Sequence, residues 1–102
     1  MPKYDKLVRD KIPEIIASAG KECVTRTLSD EEYKKYVFLK LMEEAKEANE
    51  SMTLEELADL EEVVLAATSS LGYSRNDLEA ARIKKVNSNG GFEKKILLEE
   101  VK

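Results

Sequence analysis

The sequence predicts an all-α protein built as a helical bundle, and three observations carry that prediction. Apolar residues recur at helical spacing through two long stretches separated by a very short turn. A Ser or Thr followed three residues later by an acid stands before each long stretch and before a third, shorter one. Glycines mark where helices stop, at Gly20, Gly72 and Gly90-Gly91.

Taken in order, "KYDKLVRDKIPEIIASAG" predicts a short N-terminal helix. Pro13 suits a first helical position, Ile12, Ile15 and Ile16 form a brief apolar stripe, and Gly20 ends it in a left-handed conformation. "KECVTRTL" has weak strand or extended character from Val24, Thr25 and Thr27. Ser29 with Glu32 opens a long helix whose stripe runs through Tyr33, Val37, Leu41 and Ala48, and the same stripe passes through Glu44. "SM" forms the turn. Thr53, with Glu56 as the acid of a second capping box, starts a helix that is apolar nearly all round from Leu57 to Leu71, as helices buried between neighbours are. Ser74 with Asp77 starts a third long helix over 75 to 89. The tail "FEKKILLEEVK" reads as a short strand, a short helix or an irregular arm. A helix as apolar as the one after Thr53 is under-covered by three helices alone, so the bundle is expected to be completed by dimerisation.

At 102 residues the chain fits a single domain, and no repeat or linker divides it. A net charge of −4 and a pI near 5.0 speak against nucleic acid as a partner. One cysteine, Cys23, and no histidine leave soft metals almost without ligands, so any metal would be a hard cation held by oxygen. No signal peptide and no apolar run of roughly 20 residues is present, so a cytoplasmic protein with no membrane partner is expected.

The stretch "EEAKEANESMTLEELADL", residues 43 to 60, holds seven acids and one base, Lys46. Glu44 and Glu47 share one helical face, as do Glu56 and Asp59, and the short turn sets the two pairs side by side. Carboxylates that close repel unless a cation lies between them, and Mg²⁺ takes oxygen ligands while bridging to phosphates. Solvated surface and caps are the competing reading: Glu43, Glu50 and Glu55 fit a helix surface, and Glu56 fits a cap. Asp59 resists that reading most, being a poor helix former set between Ala58 and Leu60.

The order of these motifs resembles the MazG-like all-α nucleoside triphosphate pyrophosphohydrolases. "YDKLVRDKIPEII" and "NGGFEKKILLEEV" look like a small subgroup described as phosphoribosyl-ATP pyrophosphohydrolase-like. The resemblance implies that Glu44, Glu47, Glu56 and Asp59 are Mg²⁺ ligands, with Mn²⁺ as a substitute, and that Glu44 or Glu47 serves as general base. It implies hydrolysis of a nucleotide substrate between its α- and β-phosphates, releasing a monophosphate and pyrophosphate, and a homodimer or dimer of dimers. Lys85 and Asn89 match the family's phosphate- or metal-contacting Lys and Asn, with Lys84 and Asn87 as shifted alternatives. No motif marks a base-stacking residue; Tyr33, Tyr36, Tyr73 and Phe92 are candidates.

The basic N-terminal cluster of Lys3, Lys6, Arg9 and Lys11 is either a solvated stretch or, through Arg9 and Lys11, a contact to substrate phosphates, with Asp10 placed to orient Arg9. A non-catalytic helical dimer acting as a regulatory or antitoxin-like module is the alternative to an enzyme.

Overall fold

A computed structural model describes residues 5 to 102, so Lys3 lies outside the described residues. Among them the structure is all-helical, with α1 at Ile12–Ser18, α2 at Asp30–Ser51, α3 at Leu54–Ser70 and α4 at Arg75–Asn89, and no strand. No helix among them is long and apolar enough to cross a membrane.

Local chemistry sets each boundary. The Ser29 hydroxyl accepts from the Glu32 amide at 3.2 Å while the Glu32 carboxylate accepts from the Ser29 amide at 3.3 Å, a closed capping box at the start of α2. Ser74 and Asp77 close the same box on α4, at 3.1 and 2.8 Å. α2 runs one residue further than the sequence predicts, to Ser51, and ends at Met52, whose φ of 51° lies in the left-handed region. Only Met52 and Thr53 remain to connect α2 to α3, so the two helices fold back as an antiparallel hairpin and pack along their length. Residues 21 to 29 form no strand, and Val24 is fully exposed. That segment is tied instead to the start of α2, where Arg26 donates from both terminal nitrogens to Glu32 at 3.2 and 2.8 Å.

The buried interior lies inside the α2–α3 hairpin: Val37 is completely buried, Ala67 nearly so, and Glu44 is 7% exposed. α4 meets only α3, lightly, and every residue of it except Leu78 is exposed. Beyond Gly90 the chain makes a turn in which the Lys95 amide reaches the Phe92 carbonyl at 3.1 Å, then runs to the end without helix or strand. The accessible surface is 9506 Å²; a compact 11.5 kDa monomer exposes roughly 5,800 Å². The radius of gyration of 17.7 Å likewise exceeds the roughly 13 Å of a globule of this length. The apolar character of α3 therefore meets too little cover within one chain: Leu57 and Leu71 are 56% and 50% exposed.

Candidate metal centre

The hairpin turn brings the two acidic pairs to one end of the structure. Glu44 sits on α2 two turns before its end, and Glu56 and Asp59 occupy the first two turns of α3. One carboxylate oxygen from each of Glu44, Glu56 and Asp59 lies within 4.8 Å of the others. Glu47, one turn beyond Glu44, stands at the edge of this group. Its carboxyl is pushed above the usual carboxylate range, first by the charge on Glu44, with Glu56 and Glu43 adding to it.

Two oxygens of this cluster stand apart from ordinary surface carboxylates. Glu44 Oε2 and Glu56 Oε2 are both buried and have no hydrogen-bond partner among the described residues. The sequence casts Glu56 as the acid of a second capping box, and only half of that box forms. The Thr53 hydroxyl accepts from the Glu56 amide at 3.2 Å, but the Glu56 carboxylate does not return to the Thr53 amide as Glu32 and Asp77 return to theirs. It turns inward toward Glu44 and Asp59 instead. A buried carboxylate oxygen without a partner is costly, and two of them facing each other across a hairpin are what a hard cation would satisfy. The donor set, all carboxylate, fits Mg²⁺ or Mn²⁺ and suits neither zinc nor copper.

The surrounding charges agree. Lys40 Nζ lies 3.3 Å from Glu44 and 3.7 Å from Glu43. Lys6 Nζ donates to Glu43 at 2.9 Å, which holds the Glu43 carboxyl below its usual range and raises the Lys6 ammonium. Arg9 Nη2 donates to Asp59 Oδ1 at 2.7 Å. Five carboxylates, Glu43, Glu44, Glu47, Glu56 and Asp59, thus face three cations among the described residues, an excess of two negative charges.

Two sequence readings change here. Asp59, read as the acid hardest to account for without a metal, has a partner in Arg9, while the oxygens left unpartnered are Glu44 Oε2 and Glu56 Oε2, Glu44 meeting Lys40 through its other oxygen. Glu43, read as plain helix surface, is the anchor for two lysines. Lys40 was absent from the sequence reading although its position four residues before Glu44 was a usable signal. No local pattern points to Lys6, 37 residues from its partner.

The remaining candidates are spread out. Lys11 is the N-cap residue of α1 and is exposed. Lys85 and Asn89 lie with Arg82, Val86 and Phe92 along an open concavity on α4. Neither hydrogen-bonds to the acidic cluster, and Leu71, the cap that ends α3, lies twelve positions beyond Asp59, about 18 Å along the helix. Tyr36 is half-buried near Leu7, Lys40 and Glu43; Tyr73 and Phe92 are exposed, and so is Cys23.

No protein-family model and no solved structure matches the chain. An uncharacterized protein of Mycolicibacterium smegmatis is 52% identical over 42 residues, which is 41% of this chain and 43% of that protein, so the chain spans less than half the length of the curated relative it matches.

Proposed function

We propose that this chain is a Mg²⁺-dependent nucleotide pyrophosphohydrolase of MazG-like type, cleaving a nucleotide between its α- and β-phosphates to a monophosphate and pyrophosphate. The observation that carries the reading is the pair of buried, unpartnered oxygens on Glu44 and Glu56, set within reach of Asp59. A cluster of surface acids would leave such oxygens in water. A hard divalent cation bound there would neutralise phosphate charge and make water a better nucleophile.

The chain's own residues supply the rest. Glu44, Glu56 and Asp59 hold the cation, with Glu47 completing the set from the adjacent turn of α2. Glu47 also serves as general base, accepting a proton from water attacking the α-phosphorus from its place at the edge of the group, one turn beyond Glu44. The attack breaks the bond from the α-phosphorus to the bridging oxygen, and pyrophosphate leaves with that oxygen. Arg9, ion-paired to Asp59 at this end of the hairpin, meets phosphate oxygens together with Lys11 two residues on, and Lys85 and Asn89 serve the same purpose from α4. Because α4 leaves its own hairpin, a second copy of the chain is the natural source of the latter two. The roughly 3,700 Å² exposed beyond a compact monomer exceeds what a homodimer subunit ordinarily buries. A non-catalytic helical module would share that assembly but would leave Glu44 Oε2 and Glu56 Oε2 unexplained.

Mg²⁺ at about one hundred times its Kd should stabilise the fold by about 2.7 kcal/mol, on the order of 10 °C in Tm. Asp59→Asn and Glu44→Gln should each remove that rise and lower pyrophosphate release from a nucleotide panel about 100-fold or more. No Mg²⁺-dependent rise in Tm together with no pyrophosphate from any nucleotide would falsify the reading.

A further inference from the structure

Resting on the metal reading above, we infer that Arg9 is a positioning residue that holds Asp59 while the cation is absent and transfers to the substrate's phosphates once the cation is bound. Segment 5 to 11 lies across both helices of the hairpin, tied to each by one ion pair. Lys6 Nζ meets Glu43 on α2 at 2.9 Å and Arg9 Nη2 meets Asp59 on α3 at 2.7 Å. Only one of these ties falls on the acids that would hold a metal: Asp59 belongs to the group converging within 4.8 Å, and Glu43 does not.

This asymmetry gives the two ties different fates. A divalent ion at Glu44, Glu56 and Asp59 competes directly with the guanidinium for Asp59 and repels it. The Arg9 pair is solvent-exposed, 58% on the arginine side, and exposed pairs are weak. The Lys6 tie is untouched by the ion, so the segment stays on the hairpin. Two residues separate Arg9 from Lys6, which keeps the Arg9 Cα within about 10 Å of the Lys6 Cα and the freed guanidinium within one side-chain length of that radius. Within that radius the strongest new acceptor is a phosphate bridging to the cation, which a planar guanidinium meets with two parallel hydrogen bonds. The exchange sets an order, cation before nucleotide, and spends the same side chain on both states.

The test is calorimetric and needs no turnover. MgCl₂ is titrated into the full chain, and inorganic pyrophosphate is then titrated into the Mg²⁺-loaded chain, for the wild type, Arg9→Gln, Arg9→Lys and Lys6→Gln. Arg9→Gln should bind Mg²⁺ about two- to fivefold more tightly and pyrophosphate about tenfold or more weakly. Arg9→Lys, which keeps the charge but not the fork, should bind Mg²⁺ as the wild type does and still bind pyrophosphate weakly. Lys6→Gln should tighten Mg²⁺ less than Arg9→Gln does, because Lys6 pairs with no acid of the converging group, and should weaken pyrophosphate. Mg²⁺ affinity that stays equal or falls in Arg9→Gln, with the wild type still binding Mg²⁺, overturns the exchange and leaves the metal centre standing. A wild type that binds no Mg²⁺ overturns both.

Discussion

The α2–α3 hairpin and the α4-plus-tail region both carry apolar residues along their length and meet very different fates. In the hairpin, Val37 is completely buried and Ala67 is 6% exposed; in the other region Ile83 and Val86 are 45% and 42% exposed and Phe92 is 96% exposed. The difference is not one of pattern. A helical stripe states that a face wants cover and says nothing about where the cover comes from. A two-residue connection provides it for the hairpin, because α2 and α3 have no option but to lie together. α4 leaves through Leu71 and Gly72, whose φ of 87° turns the chain away, and it finds no second helix. The same contrast divides the candidate site. Glu44, Glu56 and Asp59 are brought together by the hairpin alone, whereas Lys85 and Asn89 ride on the half that lacks a partner.

The largest effect should come from attacking the uncovered half. Ile83→Asp places a charge on the α4 face, and a charge desolvated in an interface costs 2 kcal/mol or more, so association of two copies should weaken about 30-fold or more. Light scattering would read this as a fall from about twice 11.5 kDa toward 11.5 kDa. The Mg²⁺-dependent rise in Tm should persist in the variant, since the acids belong to the hairpin, while pyrophosphate release falls. A wild-type chain that is monomeric at micromolar concentration would break the comparison outright.

That contrast also explains what the sequence made legible. The helices were readable because their signals are local. Ser29 with Glu32 and Ser74 with Asp77 lie three residues apart and close as written, and Gly20, Gly72 and Gly90 adopt the positive φ their positions imply. The convergence of Glu44, Glu56 and Asp59 was readable too, because a short turn between helices leaves one geometry. What escaped were pairings set by tertiary structure: Arg9 with Asp59, 50 residues apart, and Lys6 with Glu43. Glu56 was readable as a cap, a ligand or both, and the choice between them stayed open. Thr53 and Glu56 have the spacing of a capping box, and spacing cannot tell whether a carboxylate turns back to the amide or inward to other acids. The structure decides it by leaving Glu56 Oε2 buried and unpartnered.

An intermediate effect should separate the two halves by stability. Val37→Ala removes two buried methyl-sized groups, at about 0.8 kcal/mol each, and adds a cavity, for a loss of about 2 kcal/mol or about 10 °C in Tm. Ile83→Ala, measured at concentrations below those of association, should stay within about 0.5 kcal/mol of wild type, as exposed substitutions do. Equal losses at the two positions would mean that α4 is packed in the isolated chain.

The smallest effect concerns how the linker before α2 is pinned to the hairpin. Arg26, aided by the Ser29 amide, holds the Glu32 carboxyl down at about 2, against an ordinary value of 4.5. A carboxyl depressed by folding contributes stability that is fully present above its unfolded pKa and fades as pH falls through the folded one. The contribution should therefore be constant above about pH 5, decline from about 4.5 and be nearly gone at about 2. Arg26→Gln removes the first cause of the depression and leaves the cap. Its Tm should lie slightly below that of the wild type at pH 7, and the two should converge as pH is lowered toward 2. A gap that stays constant down to pH 2 would show that Arg26 supports α2 through the packing of its aliphatic stem rather than through its charge. The linker would then be held by apolar contact, as the hairpin is, rather than by an exposed ion pair.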